Sequence, residues 1–310
     1  MGKRRLRVVA ASAGGAAAAA GLAAGVLFGQ VLFARKTIPG AQAPPPQCGG
    51  RYGREHEASG RTSLRLAVLG DSTAAGYGVH IRAQTPGAML ATWIAEAVQR
   101  PVLLCCPAAV GSPSAWLPAQ AETVLEEMTS LDLAVIFVGA NDVTAGESAV
   151  QAVGHLAEAV RMLRGIGAEV VVATCPDLGT IRPILPPLRW LVRRWSRTLA
   201  RAQRAAVERE GAHTVSLGDL LGPIFDADPT TMFGADRYHP SAAGYRAAVD
   251  VVLPTVHAVL AALPGRADRT VAEQRSGEQQ EPTGTGARSN GRGEGTVAPP
   301  GAGLAAGRSA

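Results

Sequence analysis

Short apolar runs alternate with longer amphipathic stretches through the middle of the chain. The runs cover residues 64–69, 102–106, 133–138, 169–174 and 214–217, each bounded by Gly, Pro or Asp. Runs this short and this continuously apolar predict strands buried on both faces. Between them, residues 86–99, 118–129, 147–165 and 187–209 repeat apolar side chains at helical spacing, and a last such stretch covers 241–262. Strands alternating with helices predict an α/β domain, a parallel sheet of about five strands covered on both faces, over residues 62–264. Residues 37–61, with Pro44, Pro45 and Pro46 and several glycines, read as a linker. From 265 to 310 polar residues and glycine replace the apolar pattern, which predicts a disordered tail.

From Val8 to Ala34 no residue is charged. As a helix these 27 residues would extend about 40 Å, more than the roughly 30 Å of a bilayer core. Lys3, Arg4, Arg5 and Arg7 precede the run, and Arg35 and Lys36 follow it. The larger cluster belongs on the cytoplasmic side, so residues 1–36 read as a basic stub and a signal-anchor with the domain outside. A cleaved signal peptide, with the domain secreted, is the alternative. The net charge of +5 is concentrated here: residues 1–36 carry +6, residues 37–264 carry −2 and residues 265–310 carry +1. A nearly neutral domain gives no support for nucleic-acid binding.

The candidate chemistry stands at the ends of apolar runs. The first run breaks at Gly70-Asp71-Ser72, which delivers a hydroxyl to the C-terminal edge of the sheet, where open α/β sheets bind ligands. The third run ends in Gly139-Ala140-Asn141-Asp142. Far downstream, Asp236 stands three residues before His239, just ahead of the last helix. A serine hydroxyl needs a base to take its proton, and His239 fits that part, with Asp236 holding the ring's other nitrogen. Taken alone, Asp236 could equally cap a turn beside a surface histidine, and Asn141 could be an ordinary turn former. Asp71 and Asp142 read as loop braces. No histidine has a metal-like partner spacing, and there is no phosphate loop or dinucleotide fingerprint, so neither a metal nor an organic cofactor is expected.

Together these motifs resemble the SGNH (GDSL-type) family of esterases, lipases and acyl esterases. The matching residues are Ser72 in Gly-Asp-Ser, Gly111 in Ala108-Ala109-Val110-Gly111-Ser112, Asn141 in Gly-Ala-Asn-Asp, and His239 with Asp236, in the family's order. The likeness extends over roughly residues 62–262. Thr73 stands where the family often has Leu, beside the reacting group rather than at it. The resemblance implies a three-layer α/β/α, flavodoxin-like fold with strand order 2-1-3-4-5. It also implies an oxyanion hole made by the backbone N–H groups of Ser72 and Gly111 and the side-chain amide of Asn141. With that strand order, two strands would separate Cys105 and Cys106 from Cys175, about 14 Å and too far for a disulfide. Cys48 falls in the linker and has no evident partner.

The leading reading is a membrane-anchored, extracytoplasmic serine ester hydrolase acting on a small-molecule, lipid or carbohydrate ester. An acyltransferase of the same fold, modifying an envelope sugar or lipid, would use the same acyl-enzyme. A non-catalytic domain that docks an envelope partner is the third. The helix at 187–209 carries arginines on one face, either a solvated surface or a face toward anionic headgroups.

Overall fold

The computed structural model describes residues 20–34, 36–38 and 43–263. The stub and first part of the expected anchor, and the expected tail, lie outside them. A six-stranded sheet forms the middle layer: β1 Gly50–Tyr52, β2 Leu64–Gly70, β3 Val102–Cys105, β4 Leu133–Phe137, β5 Glu169–Ala173 and β6 His213–Val215. Their order is β1-β3-β2-β4-β5-β6. Strands β2 to β6 are parallel, and among themselves they keep the 2-1-3-4-5 order.

The sheet differs from expectation at one edge. β1 adds antiparallel to β3, with Gly50 opposite Leu104 and Tyr52 opposite Val102. It lies within the stretch read as linker, so the sheet is mixed rather than wholly parallel. Three residues with no apolar run give no strand signal. What holds them is tertiary: Arg82 donates to the carbonyls of Cys48 and Gly49 and lies over the Tyr52 ring.

Alternation along the strands sorts the core into two layers. Leu64, Leu66 and Val68 of β2 face α3 (Pro86–Val98) and α10 (Ala242–Ala262). Ala67 and Leu69 face α4 (Leu117–Glu127) and α6 (Ala149–Gly165). With both faces covered, every residue of β4 is buried, which is why the run reads as continuously apolar. Helix α7 (Leu188–Arg209) contributes Leu188, Val192 and Leu199 to the first layer and Val207 to the second. α10 is long and apolar enough to cross a membrane. Its Tyr245, Val252 and Val256 are nevertheless fully buried in the domain, as a core helix requires.

The apolar N-terminal helix α1 (Ala20–Ala34) carries its inner face onto the domain through Leu27, Val31 and Ala34. Gln30 donates to the Pro186 carbonyl at 2.5 Å and accepts from the Leu188 N–H at 3.0 Å. That N–H is the first of α7 and has no partner in its own helix. The opposite side of α1 leaves Leu22, Val26, Phe28 and Leu32 exposed.

Candidate active site

The C-terminal ends of β2, β3 and β4 converge where the chain leaves β2 for neighbours on either side, the switch point of an open α/β sheet. At the end of β2, Gly70 has φ +133°, and a Cβ there would lie 1.8 Å from the Phe137 carbonyl oxygen. Only glycine fits so close to the neighbouring strand. Gln120 clamps the same residue, accepting from the Gly70 N–H at 2.7 Å and donating to its carbonyl at 3.0 Å.

Asp71 then caps the short helix α2 (Ser72–Ala75), its Oδ1 accepting from the Thr73 N–H at 2.8 Å. Ser72 is the first helical residue, so its N–H has no acceptor inside the helix. Tyr245 reaches from α10 and donates to the Tyr77 carbonyl at 2.7 Å, fixing the far side of this turn. Burial pushes the Asp71 carboxyl up to about 6; Asp142 adds to the rise, and Thr73 and His239 oppose it.

Two further loops bring amide groups toward Ser72. After β3, Gly111 turns at φ +82°, and a Cβ added there would meet nothing within 4 Å, so its backbone conformation is what calls for glycine. Its N–H makes no hydrogen bond within the described residues. After β4, helix α5 (Ala140–Ala145) begins with Asn141 in its first turn, and the Asn141 Nδ2 donates to the Ser112 carbonyl at 3.1 Å. The side-chain amide is thereby held against the loop that carries Gly111. Buried Asp142 secures that loop from below, accepting from the Ser114 N–H and hydroxyl, each at 2.9 Å.

The imidazole comes from a closed loop ahead of α10. A bridge between Phe233 and Pro240 pins its ends, and the Gly234 N–H donates to the His239 carbonyl at 2.8 Å. Arg237 takes φ +56° at the apex, a conformation that non-glycine residues seldom adopt. Within the loop, Asp236 Oδ2 lies 2.6 Å from His239 Nδ1, and Oδ1 accepts from the N–H groups of Tyr238 and His239. Burial works against the Asp236 charge, but the ring and the two amides outweigh it and hold the carboxyl below its ordinary value. The Tyr77 and Tyr238 rings stand edge-on to the imidazole, with centroids at 4.6 and 4.8 Å.

Ser72 and His239 line one apolar cavity of ≈ 70 Å³ together with Leu178, Ile181, Leu217, Leu221, Phe225 and Phe233. Buried Asp177 also lines it, tied at 3.1 and 3.0 Å to Arg193 and Arg197. Part of the basic face of α7 thus pairs with a buried carboxylate. Among the described residues no three His, Cys, Asp or Glu groups gather as metal ligands would.

Ser72, Gly111, Asn141, Asp236 and His239 therefore all stand on segments at this edge of the sheet. Helix α8 (Leu217–Ala227), which walls the cavity, and the short helix α9 (Pro229–Met232) that follows it give no clear signal in the sequence. Pro223 inside α8 and Pro229 at the start of α9 obscure the helical pattern. The clamping roles of Gln120 and Tyr245 leave no mark in a sequence, because each depends on a partner on another element.

A family model described as GDSL-like lipase/acylhydrolase matches residues 68–247. The GDSL-like esterase Rv1075c of Mycobacterium tuberculosis is 42% identical over 233 residues, 73% of this chain and 74% of its own length. Among solved structures, TesA aligns with a TM-score of 0.53 and 24% identity, over 63% of this chain and 99% of its own. The psychrotrophic esterase EstA from Pseudoalteromonas sp., inhibited by monoethylphosphonate, aligns at 0.51 and 19% identity, over 64% and 99%. These two likenesses bear on the fold alone.

Proposed function

Since the chain belongs to the GDSL-like lipase/acylhydrolase family and is a serine esterase or acylhydrolase, we propose that it cleaves esters through an acyl-enzyme on Ser72, with His239 as base and Asp236 as its orienting partner. The observation that carries this is the 2.6 Å Asp236–His239 contact in a loop whose imidazole shares a cavity with Ser72. His239 takes the hydroxyl proton as Ser72 Oγ attacks the ester carbonyl. Asp236, held in its charged form, keeps Nδ1 protonated and steadies the imidazolium. Negative charge then develops on the carbonyl oxygen. The N–H groups of Ser72 and Gly111 and the Asn141 amide are the donors for it. The imidazolium returns its proton to the departing alcohol, and water repeats the sequence on the acyl-enzyme.

The cavity gives the reading a substrate class. Its ≈ 70 Å³ has room for roughly five heavy atoms, at 10–15 Å³ for each water-sized sphere. Its lining is mostly apolar, so the group it takes is a short acyl chain. A panel of p-nitrophenyl esters of increasing chain length tests this: kcat/KM should peak between acetyl and butyryl. A peak at ten carbons or more would overturn the short-chain reading.

We further place the domain outside the cytoplasmic membrane, anchored by residues 8–34. About 20 residues suffice to span a bilayer, and the uncharged run has 27. The surplus matches the end of α1 that docks on the domain from Leu27 to Ala34. Anchoring and docking are thus compatible in one helix, which would hold the domain close to the lipid surface.

A further inference from the structure

Two cysteines meet at the edge of the sheet where the unexpected strand joins. The register sets Gly50 opposite Leu104 and Arg51 opposite Leu103. Carried two residues further, it sets Cys48 opposite Cys106. Residues directly opposed in an antiparallel pair have Cα atoms roughly 4.5–5.5 Å apart, inside the roughly 4.4–6.8 Å that a disulfide spans. The two thiols are also close enough to interact with each other. All four cysteines are free thiols in this structure. Cys105 and Cys175 have no such relation, because β2 and β4 stand between their strands.

We propose that Cys48 and Cys106 form a cross-strand disulfide when the protein meets a thiol oxidant. The geometry stands by itself; only the expectation that the bond is closed in the cell rests on the placement outside the membrane. The surroundings prepare the pair. Arg82 holds the Cys48 carbonyl from one side, and Gly87 of α3 is close enough that an added Cβ would lie 3.0 Å from the Cys48 sulfur. The Cys106 thiol favours the Cys48 thiolate, burial opposes it, and Thr85 and Arg82 add their support. Cys48 is buried, so reaction needs the three-residue β1 to fray from the edge.

The exchange balances with a disulfide as oxidant, such as oxidised glutathione or an envelope dithiol oxidase. The Cys48 thiolate attacks one sulfur of the oxidant, whose S–S bond breaks and releases a thiol. Cys106 then loses its proton and attacks the Cys48 sulfur, releasing the second thiol. Two electrons and two protons pass to the oxidant. The product closes a loop of ~60 residues and fastens the segment after α1 to the strand that leads into the Gly111 loop. It also secures the cover over the edge of β3.

Full-length protein equilibrated in oxidised or reduced glutathione buffers, alkylated and mapped by mass spectrometry, tests the pair. A Cys48–Cys106 linked peptide should appear under oxidising conditions, with Cys105 and Cys175 remaining alkylatable after unfolding. Reduction should lower the melting temperature by roughly 5–15 °C. Cys48→Ser and Cys106→Ser should abolish that difference, while Cys105→Ser and Cys175→Ser should keep it. Four alkylatable thiols on unfolding the protein equilibrated in oxidising buffer, or linkage to Cys105 or Cys175, would overturn the proposal. If the linked peptide forms in vitro but is missing from protein trapped in cells by acid and alkylation, the cellular placement fails and the pairing stands.

Discussion

Ser72 is 6% exposed and contributes a hydroxyl, not a packed side chain, to its turn. Ser72→Ala should therefore abolish ester turnover while changing stability by less than about 1 kcal/mol, checked by assay and thermal melt side by side. Asn141→Ala should lower kcat roughly 10²-fold with little change in KM, because the oxyanion exists only in the transition state. A raised KM at constant kcat would assign Asn141 to substrate binding. Asp71 makes a pH-dependent prediction. With a folded value of about 6 against an ordinary 3.8, the carboxylate is charged at neutral pH in a site that disfavours charge. Stability is therefore lost as pH rises through 6, and the cost disappears as pH falls toward the unfolded value. Asparagine keeps the cap on Thr73 without the charge. Asp71→Asn should raise the melting temperature by several degrees at pH 7.5, with the advantage shrinking below pH 6 and gone near pH 4. A shift of two units is worth at most about 3 kcal/mol. Parallel melting curves for the two proteins across that range would contradict the assignment.

At the scale of elements, legibility followed the source of each element's stability. The five parallel strands are buried on both faces and write continuous apolar runs into the sequence. The places of Ser72, Asn141 and of Asp236 with His239 at element ends could be read because each follows such a run or precedes a long helix. Strand β1 could not, since Arg82 and the β3 edge hold it rather than its own pattern. Nor could the docking of α1, whose hydrogen bonds to the domain come from a single polar side chain within an apolar helix. Gln30 is that side chain, and it bridges the Pro186 carbonyl and the first N–H of α7. Removing such a cap from a helix start costs about 1 kcal/mol. Gln30→Ala should lower the melting temperature of the full chain by roughly 2–4 °C. In a chain beginning at Pro44, Leu188 has already lost that partner, so the domain should be less stable than the full-length one by at least as much. Equal melting temperatures for the truncated and full chains would show that α1 does not dock in solution.

Across the whole molecule, α1, which belongs to the proposed anchor, and the proposed catalytic edge are neighbours. Helix α1 docks beside α7, and the cavity between them is also lined by Val143 and Tyr238, which flank the loops of Asn141 and His239. With residues 8–34 in the membrane as proposed, the chain would present its candidate active-site edge near the lipid surface. Full-length protein should fractionate with membranes and resist high-salt extraction, and external protease on spheroplasts should digest the domain. Protection of the domain in intact spheroplasts would reverse the topology. The central claim is that Ser72, activated by His239, is the nucleophile. Its most direct test is a fluorophosphonate probe with peptide mapping of the folded enzyme. The adduct should sit on Ser72 alone, be absent from Ser72→Ala, and form far more slowly in His239→Ala. An adduct on another residue, or more than a tenth of wild-type turnover in Ser72→Ala, would contradict it.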